Sequence, residues 1–333
     1  MSKKILFTRI YPKIAQTQLQ EAGFKVTLRE TDTPFDHKEL IEKSKEHDAI
    51  LCTLTDKIDD TFLNECSHMD IISQFAVGYD NINVEKATEL GIPIGHTPEA
   101  LNEATADIAF GLLLATSRKM FHQHKKIIHG KWGSFTPTGD LGIEIKNKTL
   151  GIFGLGRIGM EMAKLCKAAY NMNVIYHNRS RNKHAEKTLD ATYVPFEELL
   201  TQSDVISLHC NLNEGTREIF NKDAFQKMKS RAIFINTARG PVHNESDLIN
   251  ALQTGEIWGA GLDVTNPEPM NPNNELLQMP NVCVLPHIGS GTEETRDEMA
   301  RMAANNIIEF YKNGTVPNVV NPEAIMNKTT TLK

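Results

Sequence analysis

The chain has 333 residues, and its 36 lysines and arginines against 42 aspartates and glutamates give a formal net charge of −6. With 40% hydrophobic and 23% charged residues, the composition is that of an ordinary globular protein and excludes a disordered or fibrous chain. The length favours two domains, since single hydrophobic cores stop growing at about 250–300 residues.

The sequence also argues against several kinds of partner and site. It has no basic run or basic-aromatic stripe, so we expect no nucleic-acid partner. Its longest apolar run, residues 108–115, is much shorter than the roughly 20 residues that cross a bilayer, and the three apolar residues 5–7 are too few for a signal-peptide core. We therefore expect no membrane partner.

The 5 cysteines are odd in number and form no CxxC pair, which favours reduced thiols over disulfides or a zinc site. These observations predict a cytoplasmic location and no bound metal.

Short strand-like runs alternate with helical stretches along the chain. The predicted strands are residues 4–8, 49–53, 71–75, 149–153, 173–176, 205–209, 232–236, 259–264 and 282–285. The predicted helices are residues 15–22, 38–45, 101–119, 160–169 and 293–311. This alternation predicts an α/β protein with doubly wound parallel sheets and a first domain boundary near residue 100. The last helix could pack on either domain.

A glycine-rich loop, GLGRIG, lies directly between a predicted strand and a predicted helix. Gly154 permits the tight turn, Gly156 lets backbone N–H groups approach a pyrophosphate, and Gly159 lets the helix pack close to the strand. The alternative is a purely structural turn. The pattern favours a dinucleotide site, for which the candidate residues are Gly154, Gly156, Arg157, Ile158 and Gly159.

The residues after the second strand of this unit bear on the choice of dinucleotide. About 20 residues past such a loop, an NAD-binding protein usually offers Asp or Glu to the ribose hydroxyls. Here the chain reads Asn178, Arg179, Ser180 and Arg181, with no acidic residue between positions 161 and 186. Arginines suit a 2′-phosphate, so we predict NADP(H) as the preferred cofactor, with NAD(H) possible. The alternative is two solvated loop arginines.

Three polar residues follow later predicted strands, at the sheet edge where ligands bind in open α/β folds. Arg239 offers a planar fork for a carboxylate, and His287 is suited to give a proton to a developing alkoxide near neutral pH. Glu268 would orient the imidazole and favour its protonated form. Taken singly, each has a plainer interpretation as a surface ion pair or a loop residue. Together they predict a site that reduces a 2-oxo acid.

Long segments of the chain resemble the D-isomer-specific 2-hydroxyacid dehydrogenase family. The similarity lies in VGYDNINVEKATELGIPIGHTP (77–98), EATADIAFGLLL (103–114), GLGRIG (154–159), NTARG (236–240), GLDVTNPEP (261–269) and LPHIGS (285–290). The segments DVTNPEP and LPHIGSGTEETR look most like the glyoxylate reductase/hydroxypyruvate reductase members. The resemblance implies two Rossmann-like doubly wound parallel-sheet domains. A cofactor domain, residues 101–287, would be inserted into a smaller flavodoxin-like substrate domain, residues 1–100 and 288–333.

The resemblance also implies residue roles. Arg239 would bind the substrate carboxylate, Glu268 would pair with the histidine, and His287 would donate the proton. Further substrate contacts would come from Leu54, Val77 and Gly78, the last two through backbone N–H groups, and cofactor contacts from Asn211, Thr237, Asp263 and Gly289. Many members have Pro where this chain has Asn211.

For the whole protein, the resemblance implies a homodimer joined through the cofactor domains, with helix 101–119 and the segment around Trp132 at the interface. It implies NADPH-dependent reduction of glyoxylate or hydroxypyruvate to the 2-hydroxy acid. Two alternatives remain: a dehydrogenase for another 2-oxo acid, and a dinucleotide-sensing binding protein like the C-terminal-binding corepressors, which have this fold and retain the three polar residues.

Overall fold

Two parallel sheets, one of five strands and one of seven, organise residues 2–325, the part of the chain that this computed structural model describes. The chain contacts divide into two units, Met1–Leu101 with Gly291–Lys333, and Asn102–Ser290. We call them the five-stranded unit and the seven-stranded unit. Residues 326–333, the end of the predicted substrate domain, lie outside the described residues. It stays a prediction that residues 1–100 and 288–333 form the substrate domain and residues 101–287 the cofactor domain.

In the five-stranded unit the strand order is β2-β1-β3-β4-β5, the flavodoxin-like order. Its strands are β1 (Lys4–Phe7), β2 (Lys25–Thr27), β3 (Ala49–Cys52), β4 (Ile71–Gln74) and β5 (Ile94–Gly95). Its helices are α1 (Lys13–Glu21), α2 (His37–Ser44), α3 (Asp60–Glu65), α4 (Val84–Glu89) and α12 (Glu293–Asn313). Every residue of β3 and β4 is buried, as expected of parallel strands covered on both faces.

The last helix belongs to this unit. Ser73 on β4 donates a hydrogen bond to the carbonyl oxygen of Ala303 on α12 at 2.8 Å. Asn306, on the same helix, donates to the carbonyl oxygen of His96 at 2.9 Å. These bonds join the helix to the sheet formed by residues more than 200 positions earlier.

In the seven-stranded unit the order is β12-β11-β10-β9-β6-β7-β8. Its strands are β6 (Thr149–Phe153), β7 (Asn173–His177), β8 (Thr192–Tyr193), β9 (Val205–Leu208), β10 (Ile233–Asn236), β11 (Gly259–Leu262) and β12 (Val282–Val284). Its helices are α5 (Asn102–Ser117), α6 (Met120–Ile128), α7 (Arg157–Tyr170), α8 (Lys183–Leu189), α9 (Phe196–Gln202), α10 (Lys222–Lys227) and α11 (Glu245–Thr254). The strand order reverses between β6 and β9, which is the point where doubly wound sheets bind ligands. The predicted fold class, two Rossmann-like doubly wound parallel sheets, is confirmed.

The helix predicted for residues 101–119 is confirmed as α5, which runs from Asn102 to Ser117. After a break, a second helix that was not predicted, α6, begins at Met120. The break coincides with Lys119, whose φ of 52° lies in the left-handed region and cannot continue a right-handed helix. None of the helices within residues 2–325 is long and apolar enough to cross a membrane.

Candidate active site

The glycine loop follows β6 and leads directly into α7, as predicted. Gly154 has a φ of 95°, and a Cβ atom there would lie 2.6 Å from the backbone nitrogen of Cys210, so only glycine fits. Gly156 is the N-cap of α7 and supplies no side-chain cap, while a Cβ at that position would enter open space. An uncapped helix N-terminus beside an open cradle is a suitable site for a pyrophosphate, so these residues fit a dinucleotide.

Asn178, directly after β7, is hydrogen-bonded through its side chain to the backbone of the glycine loop. Its Oδ1 accepts the backbone N–H of Leu155 at 2.6 Å, and its Nδ2 donates to the Leu155 carbonyl oxygen at 3.3 Å. Asn182 donates to the same carbonyl oxygen at 2.9 Å. The side chain of Asn178 therefore holds the glycine loop in place.

The two arginines that follow β7 differ in their surroundings. Arg181 forms a two-point ion pair with Glu186, with both nitrogen–oxygen distances at 2.9 Å. Arg179 and Ser180 are exposed. The hydrogen bonds from Arg181 and from the Tyr176 hydroxyl hold the pKa of Glu186 below its ordinary value. This pair was not predicted from the sequence, because a spacing of five residues is not one of the spacings that bring side chains together on a helix.

Arg239 lies just beyond the carboxyl end of β10, in a loop held by Asn236. The Asn236 side chain donates to the Arg239 carbonyl oxygen and accepts the Ala238 N–H, both at 2.9 Å. A Cβ atom on Gly240 would overlap the carbonyl group of Thr265, so the loop after β10 lies directly against the loop after β11. That second loop carries Glu268. The two predicted residues are therefore brought to the same edge of the sheet.

Glu268 and His287 form a hydrogen-bonded pair. The distance from His287 Nδ1 to Glu268 Oε2 is 2.9 Å, and Glu268 Oε1 accepts the Thr265 N–H at 3.0 Å. Burial opposes ionisation of this carboxyl group and is the largest single influence on its pKa. The hydrogen bond and charge of His287, the Thr265 N–H and the charge of Arg239 together outweigh burial and lower the pKa of Glu268. The pair is partly exposed, with 33% of the His287 side chain and 39% of the Glu268 side chain accessible.

Asp263, predicted to lie along the cofactor, bonds to the turn that carries His287. Its two carboxylate oxygens accept the N–H groups of Ile288 and Gly289, both at 2.8 Å. Burial raises the pKa of Asp263 above its ordinary value. Asp263 therefore fixes the turn in which His287 adopts a φ of 54°.

Two further predicted cofactor residues lie at the ends of neighbouring strands. The Thr237 hydroxyl is 3.4 Å from Nδ1 of His209, and Asn211 is exposed. The His209 ring also bonds Ser207 at 2.9 Å, and burial lowers its pKa to about 3, so it is neutral. This half-buried histidine was not predicted from the sequence, because nothing in the local pattern distinguishes it from an exposed one.

The predicted substrate residues Leu54, Val77 and Gly78 belong to the five-stranded unit, in the loops after β3 and β4. All three are half-buried. Within residues 2–325, the backbone N–H groups of Val77 and Gly78 donate to no protein acceptor. Their roles stay predictions.

This arrangement defines a class of protein: an α/β protein with a doubly wound nucleotide-binding unit and an Arg, Glu and His set on one edge of its sheet. The family model of the D-isomer specific 2-hydroxyacid dehydrogenase, NAD binding domain, matches residues 110–289. The chain belongs to this family of oxidoreductases, whose cofactor is a nicotinamide dinucleotide.

Several relatives match almost the whole chain. A glyoxylate reductase of Thermococcus litoralis is 41% identical over 98% of each chain, and one of Korarchaeum cryptofilum is 39% identical over 98% of each chain. Among solved structures, a glyoxylate reductase from Paecilomyes thermophila has a TM-score of 0.85 at 35% identity, over 97% of this chain and 99% of that one. An NADPH-dependent glyoxylate/hydroxypyruvate reductase from Sinorhizobium meliloti, in complex with NADP and malonate, has a TM-score of 0.85 at 29% identity, over 97% and 98%.

Proposed function

We propose that this protein reduces glyoxylate or hydroxypyruvate to the corresponding 2-hydroxy acid with NADPH. The observation that carries the proposal is the pairing of His287 Nδ1 with Glu268 Oε2 at 2.9 Å, beside the loop of Arg239. Relatives named glyoxylate reductase, similar over nearly the full length of the chain, support the substrate class.

In this mechanism Arg239 binds the substrate carboxylate, since its guanidinium can form two parallel hydrogen bonds with a carboxylate. The backbone N–H groups of Val77 and Gly78 add donors to the same carboxylate, and Leu54 lines the pocket. With the carboxylate held in this way, the oxygen of the neighbouring carbonyl group is the substrate atom that receives the proton.

His287 donates that proton. Because Nδ1 is bound to Glu268, Nε2 is the ring atom that delivers the proton. The carboxylate partner fixes the orientation of the ring, which must carry a proton on Nε2 before it can donate one. When bound, the cofactor supplies the hydride, which is added to the carbonyl carbon. The π bond of the carbonyl group is thus replaced by one new C–H bond and one new O–H bond, the C–O single bond remains, and His287 is left neutral.

The residues that would hold the cofactor are the glycine loop, the start of α7, Thr237, Asn211, Asp263, Gly289 and the segment from Asn178 to Arg181. For the 2′-phosphate we propose Arg179 with Ser180 as the principal contacts. Both are exposed, whereas Arg181 is already paired with Glu186. A carboxylate at the end of β7 would repel a phosphate, and this segment has none.

We also propose a homodimer. Six large apolar side chains of the seven-stranded unit are exposed between residues 120 and 141: Met120, Ile127, Ile128, Trp132, Phe135 and Leu141. We call them the 120–141 apolar surface. Exposed apolar surface of this kind marks interaction sites, and a second copy of the chain is the partner we propose. We further propose a cytoplasmic location, supported by five cysteines that are all free thiols.

The test is cofactor oxidation with glyoxylate, hydroxypyruvate and pyruvate, each with NADPH and with NADH under identical conditions. Turnover of either of the first two with NADPH in clear preference to NADH supports the proposal. Preference for NADH would contradict the cofactor assignment. Turnover of pyruvate alone would contradict the substrate assignment. Tight dinucleotide binding without any turnover would favour the sensor alternative.

A further inference from the structure

The loop that carries Val77 and Gly78 has each of its carbonyl groups held by the protein. The Ala76 carbonyl oxygen accepts the Thr97 N–H at 2.9 Å. The Val77 carbonyl oxygen is 3.0 Å from Nδ1 of His96, and the Gly78 carbonyl oxygen accepts Nε2 of Gln74 at 3.3 Å. Three consecutive peptide groups are thereby fixed in orientation.

These bonds determine where the N–H groups point. In a planar trans peptide the carbonyl group and the following N–H point in opposite directions. The hydrogen bond from the Thr97 N–H to the Ala76 carbonyl oxygen therefore directs the Val77 N–H away from Thr97. In the same way, the bond from His96 to Val77 directs the Gly78 N–H away from His96. Both are the N–H groups that donate to no acceptor within residues 2–325.

His96 is itself firmly held. Its backbone N–H donates to the Asn318 carbonyl oxygen at 3.0 Å, and its own carbonyl oxygen accepts Nδ2 of Asn306 at 2.9 Å. Its ring packs edge-on against Tyr79, with 5.8 Å between ring centroids. Since its partner is a carbonyl oxygen, Nδ1 must carry the proton and act as the donor.

Gln74 is held from the other side of the loop. Its Nε2 also donates to Oδ1 of Asn81 at 2.8 Å, and Asn81 in turn donates to the carbonyl oxygen of Asp56 at 2.7 Å. The loop after β4 is thus bound to the loop after β3, which carries Leu54.

We propose that His96 is a positioning residue that aims the Gly78 N–H at the substrate carboxylate, with Gln74 supporting the same loop from the opposite side. This inference rests on the proposed function, in which Val77 and Gly78 bind that carboxylate. In this proposal His96 acts through the Val77 carbonyl group and not by contact with the substrate. His96 holds the Gly78 N–H in the orientation that the substrate carboxylate requires. Substrate binding is stronger as a result, because the loop need not reorganise when the carboxylate binds.

The decisive comparison is between two substitutions at position 96. His96→Phe keeps a ring that can pack on Tyr79 but removes the donor to Val77. His96→Asn removes the ring, yet places an amide nitrogen at the same distance from the backbone as Nδ1. We expect His96→Phe to raise the KM for glyoxylate at least about tenfold, with a smaller change in kcat, and His96→Asn to stay within about threefold of wild type.

Asn321→Ala is the control for a general loss of packing. Asn321 is buried in the same unit, and it accepts the Ile94 N–H at 2.7 Å and donates to Thr88 at 2.9 Å. We expect this variant to lower the melting temperature while leaving the KM for glyoxylate within about twofold of wild type. The Kd for NADPH, measured by fluorescence, should be unchanged in all three variants. Gln74→Glu, which keeps the size of the side chain but loses the donor to Gly78, gives a second test if His96→Phe does not fold.

A wild-type KM for glyoxylate in His96→Phe would overturn the inference, as would equal increases for Phe and Asn at position 96. If the wild-type enzyme turns over neither glyoxylate nor hydroxypyruvate, the proposed function fails on its own. In that case the dissociation constant of oxalate from the enzyme–NADPH complex is measured for wild type, His96→Phe and His96→Asn. A weaker binding of oxalate in His96→Phe alone would support the role of His96. Absence of oxalate binding to the wild-type complex would overturn both proposals.

Discussion

The backbone N–H of His287 donates to the carbonyl oxygen of Asp263 at 2.8 Å, so the histidine is attached to the residue that follows β11. The Asp263 carboxylate then accepts the next two N–H groups of the chain. Together these three bonds fix the turn that presents His287 to Glu268. A non-glycine residue at a φ of 54° persists only when its surroundings hold it there.

Asp263→Asn tests this support. An amide can accept only one of the two N–H groups, and its NH2 group would face the other, so we expect a loss of about 1–3 kcal/mol in the free energy of unfolding. Because the turn carries His287, kcat should fall as well. Denaturant unfolding and steady-state kinetics measure the two effects, and unchanged values of both would contradict the role given to Asp263.

His287→Ala removes the proposed proton donor. We expect kcat to fall about 10²–10⁴-fold, the usual contribution of a general acid. The Kd for NADPH should stay nearly unchanged, since the proposed cofactor contacts of this turn come from Asp263 and Gly289. Stopped-flow kinetics and fluorescence titration give the two numbers. Retained turnover would remove His287 from the role of proton donor.

Glu268 gives a prediction for the pH dependence of stability. The folded protein holds the pKa of Glu268 below its ordinary value of 4.5, so its ionised form stabilises the folded state above that pH. This contribution is lost as the pH falls through the lower, folded-state pKa. We expect the difference in melting temperature between wild type and Glu268→Gln to be largest above pH 4.5 and to shrink below it. A difference that grows on acidification would show that the pKa is not lowered.

Alanine substitutions of Arg179 and Arg181, compared with each other, test whether the protein binds the 2′-phosphate of NADPH through Arg179. Arg179→Ala should raise the KM for NADPH about tenfold or more, as expected for loss of a charge-assisted hydrogen bond, and leave the KM for NADH nearly unchanged. Arg181→Ala should have a smaller effect on NADPH, because Arg181 is paired with Glu186. Equal effects on the two cofactors in Arg179→Ala would show that this arginine does not bind the phosphate.

The 120–141 apolar surface can be tested by changing its most exposed members, Trp132 and Phe135, to serine. Sedimentation equilibrium should give the wild-type protein twice the chain mass of 37.3 kDa and the double variant a lower average mass. Leu28→Ser, a change to an exposed apolar residue of the five-stranded unit, serves as the control and should stay dimeric. A wild-type protein of single-chain mass would contradict the homodimer.

The glycine loop shows why part of the fold could be predicted from the sequence. Its turn and its place between β6 and α7 are local properties, since they depend on residues that are neighbours in the chain. The alternation of strands and helices likewise predicted parallel sheets. The helix α6 was not predicted: none of its residues is buried, so packing imposes no apolar pattern on its sequence.

The sequence by itself determined the class of fold, the glycine-rich turn between β6 and α7, and the residue types that stand at the ends of successive strands. Only the tertiary structure decided which residues bond to each other: Glu268 to His287, Asp263 to the turn that carries His287, and His96 to Val77. The physical reason is distance along the chain. Strand and loop patterns arise from near neighbours, whereas these pairs form only after separate segments have been brought to one edge of a sheet.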